Sequence, residues 1–249
     1  MDVKQVILEH LKSRNIEVEE ILFACVAGST MYNLSLPGKS DFDYFGVFRA
    51  PTKNIVGLTH VPTSLNSHDP DMSIHEVGKF CEQVLSGSPV ITQLLFLDES
   101  EYELCYCSEE WKELKKIAMN FITVRTVKAY FGHLKSEIKT AQGKDECSYK
   151  KCLYHAFRLC IELERLTKGL PPQVRFKEGT EQWNFLMEVR NHDANKKAFY
   201  SYMRDLNSRL AEVDKSEPWS DYIEYADLKQ TNPNFDILNN WLLKVRGVI

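Results

Sequence analysis

Apolar and polar positions along this chain follow two rhythms, one before residue 105 and one after 110. At the start, Val3, Val6, Ile7 and Leu11 carry the three- and four-residue spacing of an amphipathic helix, so residues 2–14 are expected to pack one face on a sheet. A continuous apolar run over 21–27 ends in Gly28-Ser29. After a polar, turn-rich interval, Asp41-Phe42-Asp43 opens a second apolar run at 44–48. Runs of this length between turn residues predict strand, glycine turn, connector, strand. Residues 50–70, with Pro51, Pro62 and Pro70 among Ser, Asn and Asp, read as loop. Asp71-Met72-Ser73-Ile74-His75 alternates polar with apolar, which predicts a third strand or its beginning, with Asp71, Ser73 and His75 on one face. A helix is expected over 77–85, stopped by Ser86-Gly87-Ser88-Pro89.

The second rhythm is helical throughout. Periodic stretches at 109–120, 123–142, 149–168 and 182–189, another around 195–213, and a closing one at 236–245 predict a bundle of helices. The expectation is an α+β chain: a mixed sheet with flanking helices in a catalytic domain at 1–108, then an all-helical domain at 109–249. Between the last two helices, Pro218, Trp219, Tyr222, Tyr225 and Pro233 form an aromatic loop that either packs on the core or stacks a base.

Composition narrows the function classes without choosing one. With 43% hydrophobic and 27% charged residues in a chain of 249, the balance is that of an ordinary globular protein able to bury a core. No apolar run approaches the ~20 residues that span a bilayer, and the N-terminus lacks a signal-peptide core, so a cytoplasmic location is expected, the nucleus not excluded, with no membrane partner. A net charge of −4 offers no global basic surface, so RNA would need a local patch. The seven cysteines lack a C-x-x-C pair and read as reduced thiols rather than zinc ligands or disulfides.

The chemistry concentrates at 28–43. Residues i and i+2 of a strand point to one side, so Asp41 and Asp43 are expected side by side, two like charges best tolerated around a cation. Hard oxygen ligands select Mg²⁺, or Mn²⁺, completed by water and substrate phosphates. Gly28 lets backbone approach a phosphate, and Ser29 offers an N–H and a hydroxyl. D-x-D as ordinary turn chemistry before a strand is the alternative.

Ala27-Gly28-Ser29, eleven intervening residues and Asp41-Phe42-Asp43 resemble the signature of the DNA polymerase β-type nucleotidyltransferase superfamily. GSTMYNL, SDFDYFGVFRAP, DMSIHEVGKFCEQVLSGSP, KKCLYHAFRLC and LMEVRNHD, scattered over roughly residues 20–195, resemble the RlaP/YcgL group within it. The resemblance implies a polymerase β-like sheet and three metal-binding acids, Asp41, Asp43 and Asp71, with Asp69 as the other candidate for the third. It also implies a nucleotide site at Gly28, Ser29, Ser40, Lys79, His155 and Arg158. The chain departs from that pattern at Ser88-Pro89 and at Gln93, where the group has Asn-Pro and Glu.

On the 149–168 helix, Lys151, His155, Arg158 and Glu162 share one polar face, opposite Tyr154, Phe157 and Ile161. Two readings of that face stand: a cationic wall toward a triphosphate, and a solvated face with ion pairs. Arg190 closes its helix and suits the helix dipole. The resemblance implies an enzyme moving an NMP from an NTP to an acceptor hydroxyl, an RNA end among the candidates, with release of pyrophosphate. A catalytically weak nucleotide- or RNA-binding protein on the same fold is the rival.

Overall fold

The computed structural model describes residues 2–36, 38, 41–141, 146–191, 201, 204, 228 and 230–249. The sheet has five strands: β1 (Glu20–Val26), β2 (Tyr44–Arg49), β3 (Ser64–His68), β4 (Asp71–Glu76) and β5 (Cys105–Cys107), in the order β3-β4-β2-β1-β5. It is mixed: β2 and β4 run parallel, and the β1–β2, β1–β5 and β3–β4 pairs are antiparallel.

Each face is covered for a legible reason. Helix α1 (Val3–Ser13), capped by the Asp2 side chain, buries Val3, Ile7 and Leu11 against β1 and β2. It can lie that close because Gly46 has no side chain: a Cβ there would stand 2.9 Å from Ile7 Cγ2. On the opposite face Phe23 stacks on Trp111 at 4.3 Å, and Phe80 packs on the same indole at 4.9 Å. These rings join the sheet to α4 (Val77–Ser86) and α6 (Glu109–Ile117).

Short helices α2 (Gly28–Met31), α3 (Thr52–Val56) and α5 (Pro89–Leu95) fill the connections, and beyond β5 every described element is helical. There α7 (Val124–Ala141) pairs with α8 (Glu146–Leu166), which in turn packs on α9 (Glu181–Asn191). The last helix, α10 (Phe235–Val245), folds back on α4 and α6, with Trp241 donating its indole N–H to the Glu110 carbonyl at 3.0 Å. One connected set of buried apolar side chains runs from α1 to α10.

The elements expected from periodicity stand within a few residues of the ranges given. Three expectations change. Residues 50–70 are not all loop, because they hold α3 and the edge strand β3. Pro89 begins a helix as well as ending one, since it occupies the first turn of α5. Asp41-Phe42-Asp43 precedes β2 rather than lying in it. The reason is local: β1 ends at Val26 as Gly28 turns away at φ +64°, so no ladder partner extends past Tyr44. The helix expected around 195–213, together with Trp219, Tyr222 and Tyr225, falls outside the described residues save Ser201 and Arg204. Six cysteines, Cys25, Cys81, Cys105, Cys107, Cys152 and Cys160, are free thiols. No described helix is long and apolar enough to cross a membrane.

Candidate active site

Three strand ends meet at one end of the sheet. Val26 closes β1 opposite Tyr44, the first residue of β2, and Tyr44 pairs in parallel with Met72, next to Asp71 at the start of β4. The residues just outside these positions are therefore Ala27-Gly28, Asp43 and Asp71. The Ala27 N–H donates to the Asp43 carbonyl at 2.6 Å, which fixes the acid beside the turn. Gly28 is obligatory here on two counts. Its φ of +64° is left-handed, and a Cβ on it would lie 2.1 Å from Asp43 Oδ2. The carboxylate thus rests against bare backbone.

Asp43 and Asp71 line one cavity of about 550 Å³, with Phe45, Asn66, His75 and Ser88 among its walls. Burial pushes the Asp43 carboxyl above its ordinary range, and the negative charges of Asp71 and Asp41 push it further, while Lys151 opposes them. Asp41 is exposed and acts on Asp43 through its field without lining the cavity.

Among the described residues, no group of three His, Cys, Asp or Glu side chains is gathered closely enough to hold a metal by itself. The donor set nonetheless fits a hard divalent ion. Two carboxylates facing one cavity, with Lys151 offsetting only part of their repulsion and His68 Nδ1 standing 3.5 Å from Asp71, match an ion that takes one or two protein carboxylates and fills its shell with water and phosphate oxygens. Asp69, the other candidate, lies in the β3–β4 turn and does not line the cavity.

The α8 face divides into parts with different surroundings. Lys151 is exposed and close enough to Asp43 to favour its ionised form. Tyr154, read from the sequence as part of the opposite side, is fully buried, feels the charge of Asp43, and lies 4.7 Å under the Arg190 guanidinium. His155 packs on Tyr154 at 4.3 Å. Burial, together with Arg158, Lys151, Arg190 and His133, holds its pKa well below the ordinary value, so it carries no charge near neutrality.

Arg158 is only 4% exposed, which removes the solvated-face reading for this residue. Its guanidinium covers the Tyr32 ring at 3.8 Å and pairs with Glu162. Gln93 joins the network by donating Nε2–H to Glu162 Oε2 at 2.6 Å and accepting the Tyr32 hydroxyl at 2.6 Å. Burial pushes the Glu162 carboxyl upward, and Arg158, Gln93 and Tyr130 hold it back. The Gln at 93 thereby gains a reason, because a carboxylate there would face Glu162 in the interior.

Of the other sequence candidates, Ser29 sits in α2 half-buried, and Lys79 pairs with Glu82 at 2.8 Å outside the cavity. Ser40 lies outside the described residues. Sequence reasoning missed Tyr154 and Tyr32 as neighbours of the site and marked Gln93 only as a departure from the family pattern, since nothing in their local pattern marks a polar partner on another element.

The comparisons complete the picture. The model of one family, described as RlaP, RNA repair pathway DNA polymerase beta family, matches residues 3–243. No curated protein matches the chain. With nearly its whole length covered and an acid pair set against a glycine turn, this chain belongs to the RlaP family of DNA polymerase β-like proteins.

Proposed function

We propose that the protein is a metal-dependent nucleotidyltransferase: an acceptor hydroxyl attacks the α-phosphate of an NTP and pyrophosphate leaves. The observation that carries this reading is the Asp43 carboxylate lying against the Gly28 backbone, with Asp71 on the same cavity. Mg²⁺ or Mn²⁺ held by Asp43 and Asp71, with Asp41 adding negative field, would supply Lewis-acid stabilisation of the charge that develops at phosphorus. The chain's own groups do the rest. Backbone N–H groups at Gly28 and Ser29 bind anionic phosphate oxygens. Lys151 offsets charge from the α8 side, and Arg190 adds positive field beside Tyr154. One of the aspartates accepts the proton of the attacking hydroxyl. The cavity past Asp71, walled by neutral polar side chains such as Asn66 and Ser88, leaves room for the acceptor. The family description favours an RNA end as that acceptor.

One observation favours the rival, a nucleotide- or RNA-binding protein without turnover. The strongest cation expected for the triphosphate, Arg158, is engaged by Glu162, and His155 is neutral. Incubation with each α-labelled NTP, Mg²⁺ or Mn²⁺, and total RNA separates the two. The transferase reading expects label in RNA with pyrophosphate released. Binding of NTP with no release would establish the rival.

A further inference from the structure

The turn that would cradle phosphate is held from far along the chain. Arg175, between α8 and α9, donates Nη1–H to the carbonyls of Met31 at 2.9 Å and Thr30 at 3.4 Å. Its guanidinium lies 4.5 Å from the centroid of the Tyr102 ring. The Tyr102 hydroxyl donates to the Val26 carbonyl at 2.5 Å. Val26 is the last residue of β1, and Thr30 and Met31 are the last two of α2, so one stacked Arg–Tyr pair grips both ends of Ala27-Gly28-Ser29.

The next residues are tied in the same way. The Phe176 N–H donates to the Tyr32 carbonyl at 3.1 Å, Asn33 Nδ2 donates to the Phe176 carbonyl at 3.0 Å, and Trp183 Nε1 donates to the Asn33 carbonyl at 2.8 Å. All of these partners lie 143 to 150 residues beyond the groups they bind. A four-residue helix cannot hold itself, because one turn fixes its dihedrals for a single hydrogen bond, and its last two carbonyls keep room for a further donor even though Thr30 already accepts the Asn33 N–H at 3.1 Å. A planar cation on those two carbonyls fills that room, and it sits at the negative end of the turn.

We propose that Arg175, stacked on Tyr102, is a positioning residue for the Gly28-Ser29 turn. It sets the direction of the N–H groups relative to Asp43, and with it the affinity for a triphosphate, while touching neither the nucleotide nor the acids. The proposal rests on the reading of that turn as the phosphate cradle.

The test uses the full-length protein, the variants Arg175→Ala, Arg175→Lys and Tyr102→Phe, inorganic tripolyphosphate with Mg²⁺ as the probe, and hydrogen exchange read by residue. Arg175→Ala should speed exchange of the amides at 28–34 about tenfold or more while α7 is unchanged. Tripolyphosphate affinity should fall by about tenfold, with KM for NTP raised far more than kcat is lowered. Arg175→Lys and Tyr102→Phe should fall between, and added guanidinium should restore part of the Arg175→Ala loss. Unchanged exchange at 28–34 would overturn the proposal. So would faster exchange with tripolyphosphate affinity and KM intact, which would leave Arg175 a purely structural residue. If wild-type protein binds no tripolyphosphate, the cradle reading fails and the positioning role fails with it. Exchange in Arg175→Ala would then still tell whether the pair holds the turn.

Discussion

At the scale of single residues, the account depends on positions where one atom decides. A methyl group at Gly28 would collide with the Asp43 carboxylate and impose left-handed strain of roughly 1–2 kcal/mol. Gly28→Ala should therefore lower transfer by about 10²-fold or more and weaken NTP binding, measured by label transfer and calorimetry, while leaving the core intact. His155 gives a pH prediction with a definite sign. Its folded-state pKa is depressed below the ordinary 6.5 by burial and by four neighbouring basic residues, so the unfolded chain takes up the proton first as pH falls. The stability it contributes is complete above about pH 6.5 and is lost progressively below it. Urea unfolding between pH 7.5 and 5.5, conditions chosen to bracket that value, should show a shallower decline for His155→Gln than for wild type. An identical decline would mean that His155 is not held neutral by its surroundings.

At the scale of elements, α8 shows what folding adds to a pattern. Lys151, His155, Arg158 and Glu162 share a face by spacing, but the partners that fill that face, Tyr32, Gln93 and Tyr130, come from elsewhere in the chain. Gln93→Glu should place a second carboxylate beside Glu162 and cost about 3–5 kcal/mol, read from the urea midpoint at constant m. Glu162→Ala, which strands Arg158 in the interior, should cost a similar amount. The sheet divides in the same way between what spacing reveals and what contact decides. Strands β1, β2 and β4 are apolar or alternating and were legible. Strand β3 is Ser-Leu-Asn-Ser-His at an exposed edge, and β5 is only three residues long, so neither carries a hydrophobic signal. The acids and the glycine turn could be named from their residue types and spacing. That Asp43 precedes its strand, and that α8 reaches it through Lys151 and Tyr154, depended on tertiary contacts.

At the scale of the whole molecule, distant segments lock the site end of the sheet and its opposite end. Arg246, just past α10, grips both oxygens of buried Glu76, which also caps α4 by accepting the Gly78 N–H at 2.7 Å. Arg246→Ala should lower stability by about 3–5 kcal/mol without moving the acids, because Glu76 closes β4 at the end away from Asp71. Asp43 behaves in the opposite way. Its raised pKa means that the ionised form is disfavoured in the metal-free fold, so stability falls as pH rises from its ordinary 3.8 toward the folded value, and the loss persists at neutral pH. The decisive measurement is the rate of label transfer from an α-labelled NTP, with Mg²⁺ or Mn²⁺, by Asp43→Asn against wild type, each accompanied by a metal-free melt at pH 7. Our account predicts a fall in rate of about 10³-fold or more with the melting temperature kept or raised. An Asp43→Asn protein that transfers label at the wild-type rate would contradict it.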